Sequence, residues 1–388
     1  MSERALAHIE KIEWIKPIDG ADNIELIGVL GWVCIAKKQE FKVGDKAVYI
    51  EIDSKCPEND ERFSFLAAKH YKVKTMKLGK FKVISQGLAL PIELFPELET
   101  KEIGSDVTEE LKITYSSQED IKRKSNKVDP DAKYKSMAAR HSDLFKKPIF
   151  RKLMKYKWGK KILFFFFGSK KKDNPKKFPE WIVKTDEIRI ENAPFYLQSD
   201  VPWVKTEKLD GTSCTYAVDR LKKGKDKFDY IVCSRNVRQA DRNQECYHDS
   251  NIYWELSDKY DIENKLKEFA NKHGYNRVVL QGEGIGNVQG NPYKLKENDL
   301  YLFNLVIDGV RVGTEELANF CNMYGFKNVP IIDTACYLPK EMEEIKLEAD
   351  GFSMVNPKVK REGFVYRSIN GQQSFKNVSR EYLLKHNG

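Results

Sequence analysis

Short apolar runs separated by turn residues dominate the first part of the chain. Gly31 and the pair Gly44-Asp45 are turn signals between runs that are rich in β-branched and aromatic residues, which predict strands. The five predicted strands are Ile24–Leu30, Trp32–Ala36, Ala47–Ile52, Tyr71–Lys77 and Phe81–Leu90. Five strands in about 90 residues are typical of a small β-barrel, so we predict such a domain over residues 1–105.

The pattern becomes polar, basic and partly helical after residue 105, and residues 106–180 are predicted to be a linker or an insertion. Phe150–Trp158 places Leu153 and Trp158 near one helical face among lysines. The run Phe164–Phe167 lies between lysine clusters. It is short for a membrane anchor, so packing against a neighbouring domain is favoured over contact with a membrane surface.

Strand and helix patterns alternate in the last part of the chain, residues 181–388. The predicted strands are Tyr230–Ser234, Val278–Gly282, Leu300–Ile307 and Phe364–Tyr366, and the predicted helices are Ile262–Lys272 and Thr314–Tyr324. This mixture describes an α+β domain of catalytic size. The predicted fold class of the whole chain is therefore multidomain α+β, with a β-barrel first.

The charge is distributed unevenly along the 388 residues. The chain carries a formal net charge of +9, and residues 121–177 alone hold 20 Lys and Arg against 4 Asp and Glu. A mildly acidic body with one strongly basic segment suits a polyanion such as a nucleic acid. A solvated linker explains the same charge run equally well.

Cysteine usage and hydropathy indicate a location inside the cell. The seven cysteines are scattered and contain no C-x-x-C pair, and the N-terminus opens no apolar signal-peptide core. The longest apolar run, Ile162–Phe167, is about a third of the length that spans a bilayer. We expect a cytoplasmic or nuclear protein that is not secreted, has no stable membrane association and shows no sign of an obligate protein partner.

The most suggestive chemistry lies at Lys208, which follows the apolar stretch Val201–Val204 and precedes Asp210 and Gly211. A lysine at a strand-to-turn junction can aim its amine into a pocket as a nucleophile, while glycine lets the backbone approach a ligand. The tetrapeptide K-x-D-G arises often by chance in a lysine-rich chain, so its weight depends on the residues further along the sequence.

Five further residues lie at strand ends or in strands. Arg235 suits ribose hydroxyls or phosphate, although a surface arginine is the alternative. Glu283, in Gly-Glu-Gly, could accept from a ribose hydroxyl or hold Mg²⁺, and Phe303 could stack on a base, although a turn acid and a core phenylalanine are the commoner meanings. Glu362 precedes another glycine, and Lys376 supplies a second lysine.

This order resembles the covalent nucleotidyltransferases, which include the ATP-dependent DNA and RNA ligases and the mRNA capping enzymes. The segments that resemble motifs I, Ia, III, IIIa, IV and V are, in turn, Lys208–Gly211, Ser234–Asn236, Glu283, Phe303, Glu362-Gly363 and Lys376. The resemblance covers most of the chain, with residues 121–177 as the least similar part.

The branch that the chain resembles most is the RNA ligase 2-like one, because Glu207 precedes the lysine and motif III reads Gly-Glu-Gly. DNA ligases and capping enzymes append an OB domain after motif V, whereas here 12 residues follow Lys376 and a barrel-like domain comes first. This architecture resembles the fifth RNA ligase family. It implies an N-terminal OB-fold and, over residues 181–388, an ATP-grasp-like nucleotidyltransferase domain of antiparallel sheets and helices.

The resemblance also implies a reaction and a set of site residues. The reaction joins RNA 3′-hydroxyl and 5′-phosphate ends through lysyl-AMP, with ATP and with Mg²⁺ or Mn²⁺, on a nicked duplex that has RNA at the 3′-hydroxyl side. The implied catalytic residues are Lys208, Asp210, Glu362 and Lys376. The implied nucleotide-binding residues are Glu207, Lys208, Arg235, Glu283, Phe303 and Lys376. The implied metal ligands are Glu362, Glu283 and Asp210.

Two alternatives remain beside this interpretation, and one position departs from the family pattern. An mRNA guanylyltransferase would share the lysyl-nucleotide chemistry but use GTP, and a non-catalytic OB-type nucleic-acid-binding protein would need none of it. Many nucleotidyltransferases have K-x-K in motif V, whereas Ser374 stands where the first lysine would be. Which phosphate Lys376 contacts, and whether Lys358 or Lys360 assists, is therefore open at this point.

Overall fold

The computed structural model describes residues 5–116, 134, 147–167, 176–221, 227–239, 251–369, 371 and 373–386. Most of the basic segment 121–177, and with it any polyanion contact predicted there, lies outside the described residues.

The N-terminal part, up to residue 116, is built on an antiparallel sheet. Its strands are β1 (Ala7–Pro17), β2 (Ile24–Val29), β3 (Trp32–Lys37), β4 (Lys46–Ile50), β5 (Ser54–Lys55), β6 (Met76–Leu78), β7 (Val83–Ser85), β8 (Leu88–Pro91) and β9 (Thr114–Tyr115). Five of them form one sheet in the order β3-β2-β1-β4-β8, while β5 pairs with β9 and β6 with β7. Short 3₁₀ helices span Glu61–Lys69, Ile92–Leu94 and Pro96–Leu98.

The central strand β1 escaped the sequence prediction because it is buried on both faces. Ile9 packs with Val48 and Phe63 on one side of the sheet, whereas Ile12 packs with Trp32 on the other. Strands covered on both faces lose the alternation of apolar and polar positions. A register shift between Ile12 and the following residues, a β-bulge or similar irregularity, disturbs the period-2 pattern further.

Two predicted strands of this part were wrong in extent. The run Tyr71–Lys77 is mostly irregular, with an isolated bridge between Lys72 and Lys55 before β6 begins at Met76. The run Phe81–Leu90 divides into β7 and β8 because Gly87 adopts a φ of +92°, which only glycine takes up readily.

Two short helices represent the predicted helical region, α1 (Pro148–Met154) and α2 (Lys157–Phe167). The prediction of one helix over Phe150–Trp158 is wrong, because α1 ends at Met154 and Trp158 lies in α2. Trp158 is also exposed. Phe164 packs against buried Leu163, whereas Phe165 and Phe166 are each 70% exposed. Because successive helical residues point about 100° apart, the four phenylalanines do not share one face. Phe164 and Phe167 pack with Phe150 and Leu153 of α1, and packing of the run against a neighbouring domain stays a prediction.

The C-terminal part contains two sheets. Its strands are β10 (Lys176–Lys177), β11 (Ile188–Arg189), β12 (Trp203–Lys208), β13 (Thr212–Arg220), β14 (Phe228–Cys233), β15 (Val237–Arg238), β16 (Arg277–Ile285), β17 (Asp299–Ile307), β18 (Val310–Arg311), β19 (Lys327–Asn328), β20 (Ile331–Cys336), β21 (Gly363–Ser368) and β22 (Ser374–Val378). Its helices are α3 (Ile252–Lys259), α4 (Ile262–His273), α5 (Thr314–Tyr324), α6 (Met342–Glu348) and α7 (Arg380–His386).

The two sheets meet where the chain passes from β12 to β13. An eight-stranded sheet runs β10-β15-β14-β13-β16-β17-β18, with β19 also paired to β17, and a five-stranded sheet runs β11-β22-β21-β12-β20. Residues of α3, α4 and α5 pack with β13, β16 and β17 in the largest apolar cluster. A smaller cluster that includes Leu209, Ile285 and Val359 joins the two sheets beside the β12–β13 turn. No helix in the described parts of the chain is long and apolar enough to span a membrane.

Buried charges connect the N-terminal sheet to the C-terminal part. Lys346 Nζ lies 2.8 Å from Glu191 Oε1 and donates at 2.6 Å to Gln86 Oε1. Lys346 and Glu191 are almost fully buried, and the Gly31 N–H donates to the Glu191 carbonyl at 2.8 Å. A buried charge must stay paired, so this contact fixes the N-terminal sheet against the site-bearing domain.

Buried His8 gives the N-terminal domain a predicted pH dependence. Its Nδ1 lies 2.7 Å from Glu10 Oε1 and its Nε2 lies 3.6 Å from Glu51 Oε1. Burial alone lowers the pKa of His8, but the hydrogen bonds and charges of the two glutamates together raise that pKa to about 9. Because the folded pKa exceeds the unfolded value, protonated His8 stabilises the fold fully below about pH 6.5, and this contribution is lost as the pH rises through about 9.

We expect the free energy of unfolding to fall by about 3 kcal/mol more in the wild type than in His8→Asn between pH 6 and pH 10. Urea denaturation at a series of pH values measures this difference, and titrating groups that do not interact with His8 cancel between the two proteins. Parallel pH profiles for the wild type and the variant would contradict the assignment.

Candidate active site

Lys208 is the last residue of β12, at the strand end where the sequence placed it. It lies opposite Gly363 of β21, and its Nζ donates to Oε1 of the neighbouring Glu362 at 2.6 Å. The lysine side chain is 27% exposed, so a ligand can reach it from solvent.

Two glycines allow the strands around Lys208 to approach each other. A Cβ on Gly211 would lie 2.4 Å from the Gly284 carbonyl oxygen. Gly363 has a φ of +152°, and a Cβ there would lie 2.1 Å from the Asn377 carbonyl oxygen. The glycine of K-x-D-G thus serves close packing of the chain against itself, and the approach of the backbone to a ligand stays a prediction.

Three carboxylates surround the Lys208 amine. Burial raises the pKa of Glu283 to about 8, with Glu362 and Asp210 adding to the rise and Lys208 opposing it. Burial also raises the pKa of Glu362. Burial alone would lower the pKa of Lys208, but the negative charges of Glu362, Glu283 and Asp210 raise it overall. The amine is therefore held protonated, and additional positive charge nearby is needed to release the proton.

The same carboxylates fit a divalent cation. Glu362 Oε2 is buried and has no hydrogen-bond partner, and carboxylate oxygens are the ligands that Mg²⁺ and Mn²⁺ prefer. Within the described residues no three His, Cys, Asp or Glu side chains are arranged to hold a metal by themselves. Mg²⁺ usually combines one or two carboxylates with substrate phosphates and waters, so these residues fit a cation shared with a nucleotide.

Asp210 is positioned by two tyrosines that the sequence analysis missed. Its N–H donates to Tyr293 Oη at 2.7 Å, and its Oδ2 accepts from the Tyr382 hydroxyl. Tyr382 lies on α7 and Tyr293 in the loop before β17. Both are distant from Asp210 along the chain, so no local pattern could have linked them.

Glu207 and Phe303 are the two predicted base-binding residues. Glu207 is buried, its Oε2 accepts from the Met354 N–H at 2.8 Å, and its Oε1 has no partner. A buried acceptor without a partner is unfavourable in the free protein and is suited to a ligand N–H. Half-buried Phe303 packs at the edge of the cluster that contains Leu209 and Val359, and stacking of its ring on a base stays a prediction.

Two cations lie near these carboxylates, since the charge of Lys376 opposes the burial-driven rise in the pKa of Glu362 and that of Arg235 opposes the rise in the pKa of Glu283. Lys376 Nζ is 2.8 Å from Asp186 Oδ1, and Arg235 Nη2 is 3.1 Å from Asp186 Oδ2. Lys376 is largely buried, whereas Arg235 lies at the exposed rim. Ser374, which stands in the place of a motif V lysine, donates to Glu187. The structure thus brings the predicted cations together around Asp186, which the sequence analysis had not assigned to the site.

A strand-end lysine enclosed by carboxylates, with a second lysine on the same sheet, defines the class of covalent nucleotidyltransferases. The RNA ligase family model matches residues 201–384, and an OB-fold domain model matches residues 6–92. No curated protein matches the chain.

Solved structures of a Naegleria gruberi RNA ligase are similar over the whole length. A mutant in the apo state is 30% identical with a TM-score of 0.76, covering 100% of this chain and 99% of that chain. A second mutant, with ATP and Mn, is 30% identical with a TM-score of 0.75 and covers 99% and 100%. A third, with AMP and Mn, is 29% identical with a TM-score of 0.75 and covers 99% of each chain. The chain belongs to the RNA ligase family.

The predicted fold class and activity class are confirmed. The N-terminal domain is an OB-fold, the C-terminal domain is an RNA ligase nucleotidyltransferase domain, and the enzyme is an ATP-dependent RNA ligase. RNA is accordingly its nucleic-acid substrate. The guanylyltransferase and the non-catalytic binding protein are set aside.

Proposed function

We propose that the enzyme seals nicks in duplexes that have RNA at the 3′-hydroxyl side, using ATP and either Mg²⁺ or Mn²⁺. The observation that carries this proposal is Lys208 Nζ at 2.6 Å from Glu362 Oε1, beside the unpartnered Glu362 Oε2, which fits a divalent cation shared with a nucleotide. The Naegleria ligase structures with ATP and Mn, and with AMP and Mn, support the same choice of ligands.

In the first step, Lys208 Nζ attacks the α-phosphorus of ATP. The N–P bond forms as the bond to pyrophosphate breaks, which leaves AMP on the lysine. The raised pKa of Lys208 means that its proton must leave first, and Glu362 is the adjacent acceptor. A divalent cation between the carboxylates and the phosphates would supply positive charge that favours the neutral amine and stabilises the phosphoryl oxygens.

In the second step, an oxygen of the RNA 5′-phosphate attacks the same phosphorus and the bond to Lys208 breaks. In the third, the 3′-hydroxyl attacks the activated 5′-phosphate, and AMP departs. We assign phosphate binding to Lys376 and Arg235, which Asp186 holds together in the free protein. Glu207 would accept from the adenine amine, Phe303 would stack on the base, and Glu283 and Asp210 would assist Glu362 with the cation.

A panel of nicked and single-stranded substrates tests the strand preference. We expect sealing of an RNA 3′-hydroxyl to either an RNA or a DNA 5′-phosphate in a nicked duplex, and no comparable sealing when the 3′-hydroxyl strand is DNA. Gel separation of end-labelled strands at equal enzyme concentration measures the rates. Faster joining of single strands than of the nicked duplex would overturn the substrate assignment while leaving lysine adenylation intact.

The basic helical region is proposed to bind phosphates. Lys152, Lys155 and Lys157 are exposed on α1, α2 and the turn between them. Replacing all three with Gln should lower the slope of log affinity against log salt by up to about three, since each neutralised phosphate contributes about one. The double Gln variant of exposed Lys272 and Lys340 is the control. An unchanged slope in the triple variant would return this region to the role of a solvated linker.

The division into domains at residues 105 and 180, and the location inside the cell, also remain predictions. The six cysteines in the described part of the chain are free thiols, which supports a reducing compartment such as the cytoplasm or nucleus. Fractionation of the source cells with a specific antibody would test the location, and recovery of the enzyme from the medium would contradict it.

A further inference from the structure

The loop between α6 and β21, residues 349–362, forms one wall of the lysine site and exposes two apolar side chains. Its Met354 N–H donates to Glu207 Oε2 at 2.8 Å, and Asn356 Nδ2 donates to the Tyr293 carbonyl at 2.9 Å. In the same loop the side chain of Phe352 is 54% exposed and that of Met354 is 64% exposed. The backbone is therefore anchored to the nucleotide site while these side chains face solvent.

The ring of Phe352 is held in place by its own loop. Phe352 forms a backbone bridge with Lys360, and Lys360 Nζ lies 4.5 Å from the centre of the ring. The neighbouring Ser353 N–H donates to the Val359 carbonyl at 2.9 Å, which closes the loop next to this pair. Lys360 Nζ also lies 2.8 Å from Glu381 Oε2 at the surface, so an RNA phosphate would replace this carboxylate as its partner. An exposed aromatic ring with a fixed backbone and an adjacent cation is the combination that proteins use to bind a base and its phosphate.

The position of this pair relative to the reacting atoms sets what it can contact. Lys360 precedes Glu362 by two residues, and Glu362 Oε1 lies 2.6 Å from Lys208 Nζ. Two extended residues span about 7 Å, and successive nucleotides of one strand are about 3.4 Å apart along a duplex. Phe352 is therefore within reach of a nucleotide one or two steps from the junction when the RNA 5′-phosphate lies at Lys208.

Scattered single apolar side chains are normal on protein surfaces. Phe352 differs from them because its loop is tied to Glu207 and Tyr293 of the catalytic site, and because the substrate of that site is RNA. We propose that Phe352 is a stacking platform for a base within two nucleotides of the nick, with Lys360 contacting the adjoining phosphate. This inference rests on the proposed function, since it assumes that nicked RNA binds at Lys208.

Substitutions at Phe352 test the platform in the full-length enzyme. In Phe352→Ala we expect the dissociation constant for a nicked RNA duplex to rise about tenfold. The rate of RNA adenylation relative to lysine adenylation should fall to a similar extent. Phe352→Trp should preserve both values, and Phe352→Leu, which keeps apolar volume without a π-face, should behave like the alanine variant. Equal binding by the alanine and tryptophan variants would overturn the stacking role.

A matched control is Tyr337→Ala, because Tyr337 is an aromatic side chain that is 68% exposed. It follows Cys336, which pairs with Trp203 at the end of β12 that is opposite to Lys208. It should leave RNA binding unchanged, and an equal loss in this variant would mean that the effect at Phe352 is not specific. Lys360→Gln should lower the salt slope of RNA binding by about one, and an unchanged slope would remove the phosphate contact from the proposal.

Fluorescence locates the stacked base. With 2-aminopurine at single positions on either side of the nick, wild-type enzyme should quench the base one or two positions from the junction, and Phe352→Ala should abolish that quenching. Quenching that persists in the variant would overturn the proposal even if nick sealing is intact. Failure of wild-type enzyme to seal nicks at all would instead count against the proposed function, so the two failures are distinguishable.

Discussion

Replacing Lys208 with alanine is expected to abolish transfer of label from α-³²P-ATP to the protein. Lys208 is the strand-end amine beside Glu362, whereas the other predicted site cations, Lys376 and Arg235, are paired with Asp186. Because neither of these can take the place of the Lys208 amine, the rate should fall at least about 10³-fold. Lys208→Arg should be equally inactive, because it keeps the positive charge but cannot lose its proton.

Denaturing gel electrophoresis after incubation with Mg²⁺ measures the covalent label. RNA that is already adenylated at its 5′ end bypasses the first two steps, so both variants should still join it, which shows that they are folded. Exposed Lys340, which pairs with Asp200 on the surface, provides the matched lysine-to-alanine control. Undiminished labelling of Lys208→Ala would disprove the nucleophile assignment.

Replacing Glu362 with glutamine is expected to slow lysine adenylation by about 10²–10³-fold. Glutamine keeps the size of the side chain but removes the negative charge that faces Lys208 Nζ. It also removes one of the two carboxylate oxygens, of which the buried Oε2 has no hydrogen-bond partner. The variant should also need more Mg²⁺ for half-maximal rate, because one carboxylate of the cation site is lost. Single-turnover adenylation across a series of Mg²⁺ concentrations separates these two effects.

Glu348→Gln is the matched control for this substitution. Glu348 accepts from Lys205 Nζ at 2.7 Å and from the Tyr366 hydroxyl at 2.8 Å. Both donors belong to the sheet that carries Lys208, but the contact lies away from that lysine. It therefore repeats the loss of a lysine-paired carboxylate without touching the site. A wild-type rate for Glu362→Gln at every Mg²⁺ concentration would refute the role of this residue. An equal defect in Glu348→Gln would show that the loss of rate comes from lower protein stability and not from the site.

Elements with complete local signals were predicted well. The helix over Thr314–Tyr324 has the predicted bounds, and α4 differs from its prediction only at the last residue. Both helices end at a glycine in the left-handed region, Gly325 and Gly274, and such a glycine is a strong local stop signal. The strand β1 was missed because its pairing with other strands and its burial on both faces hide the local pattern. The break between α1 and α2 was missed because Gly159 lets α2 fold back onto Leu153 of α1, which the spacing of apolar residues does not signal.

How close the predicted site residues lie to one another depends on the arrangement of the strands that carry them. The pairing of β12 with β21 brings Lys208 next to Glu362, which directly precedes β21. Glu283 lies on β16 of the other sheet, opposite Ser213 of β13, and the turn from β12 to β13 places it near Lys208. Asp186 and Tyr382 belong to the site only because folding brings them into contact with its residues. A carboxylate that contacts a lysine 190 positions away, or a hydroxyl that contacts an aspartate 172 positions away, leaves no periodicity to detect.

The sequence by itself determined the class of chemistry, because a lysine, its acids and a second lysine must be present as residue types in order for lysyl-nucleotide transfer to occur. It also determined the helices with strong caps and the two-domain order of barrel and transferase. The tertiary structure decided the protonation tendency of Lys208, the pairing of Arg235 and Lys376 with Asp186, and the docking of the N-terminal sheet through Lys346 and Glu191. These properties depend on distance and burial, which only the folded chain sets, since charges separated along the sequence interact strongly only when folding brings them close and removes water between them.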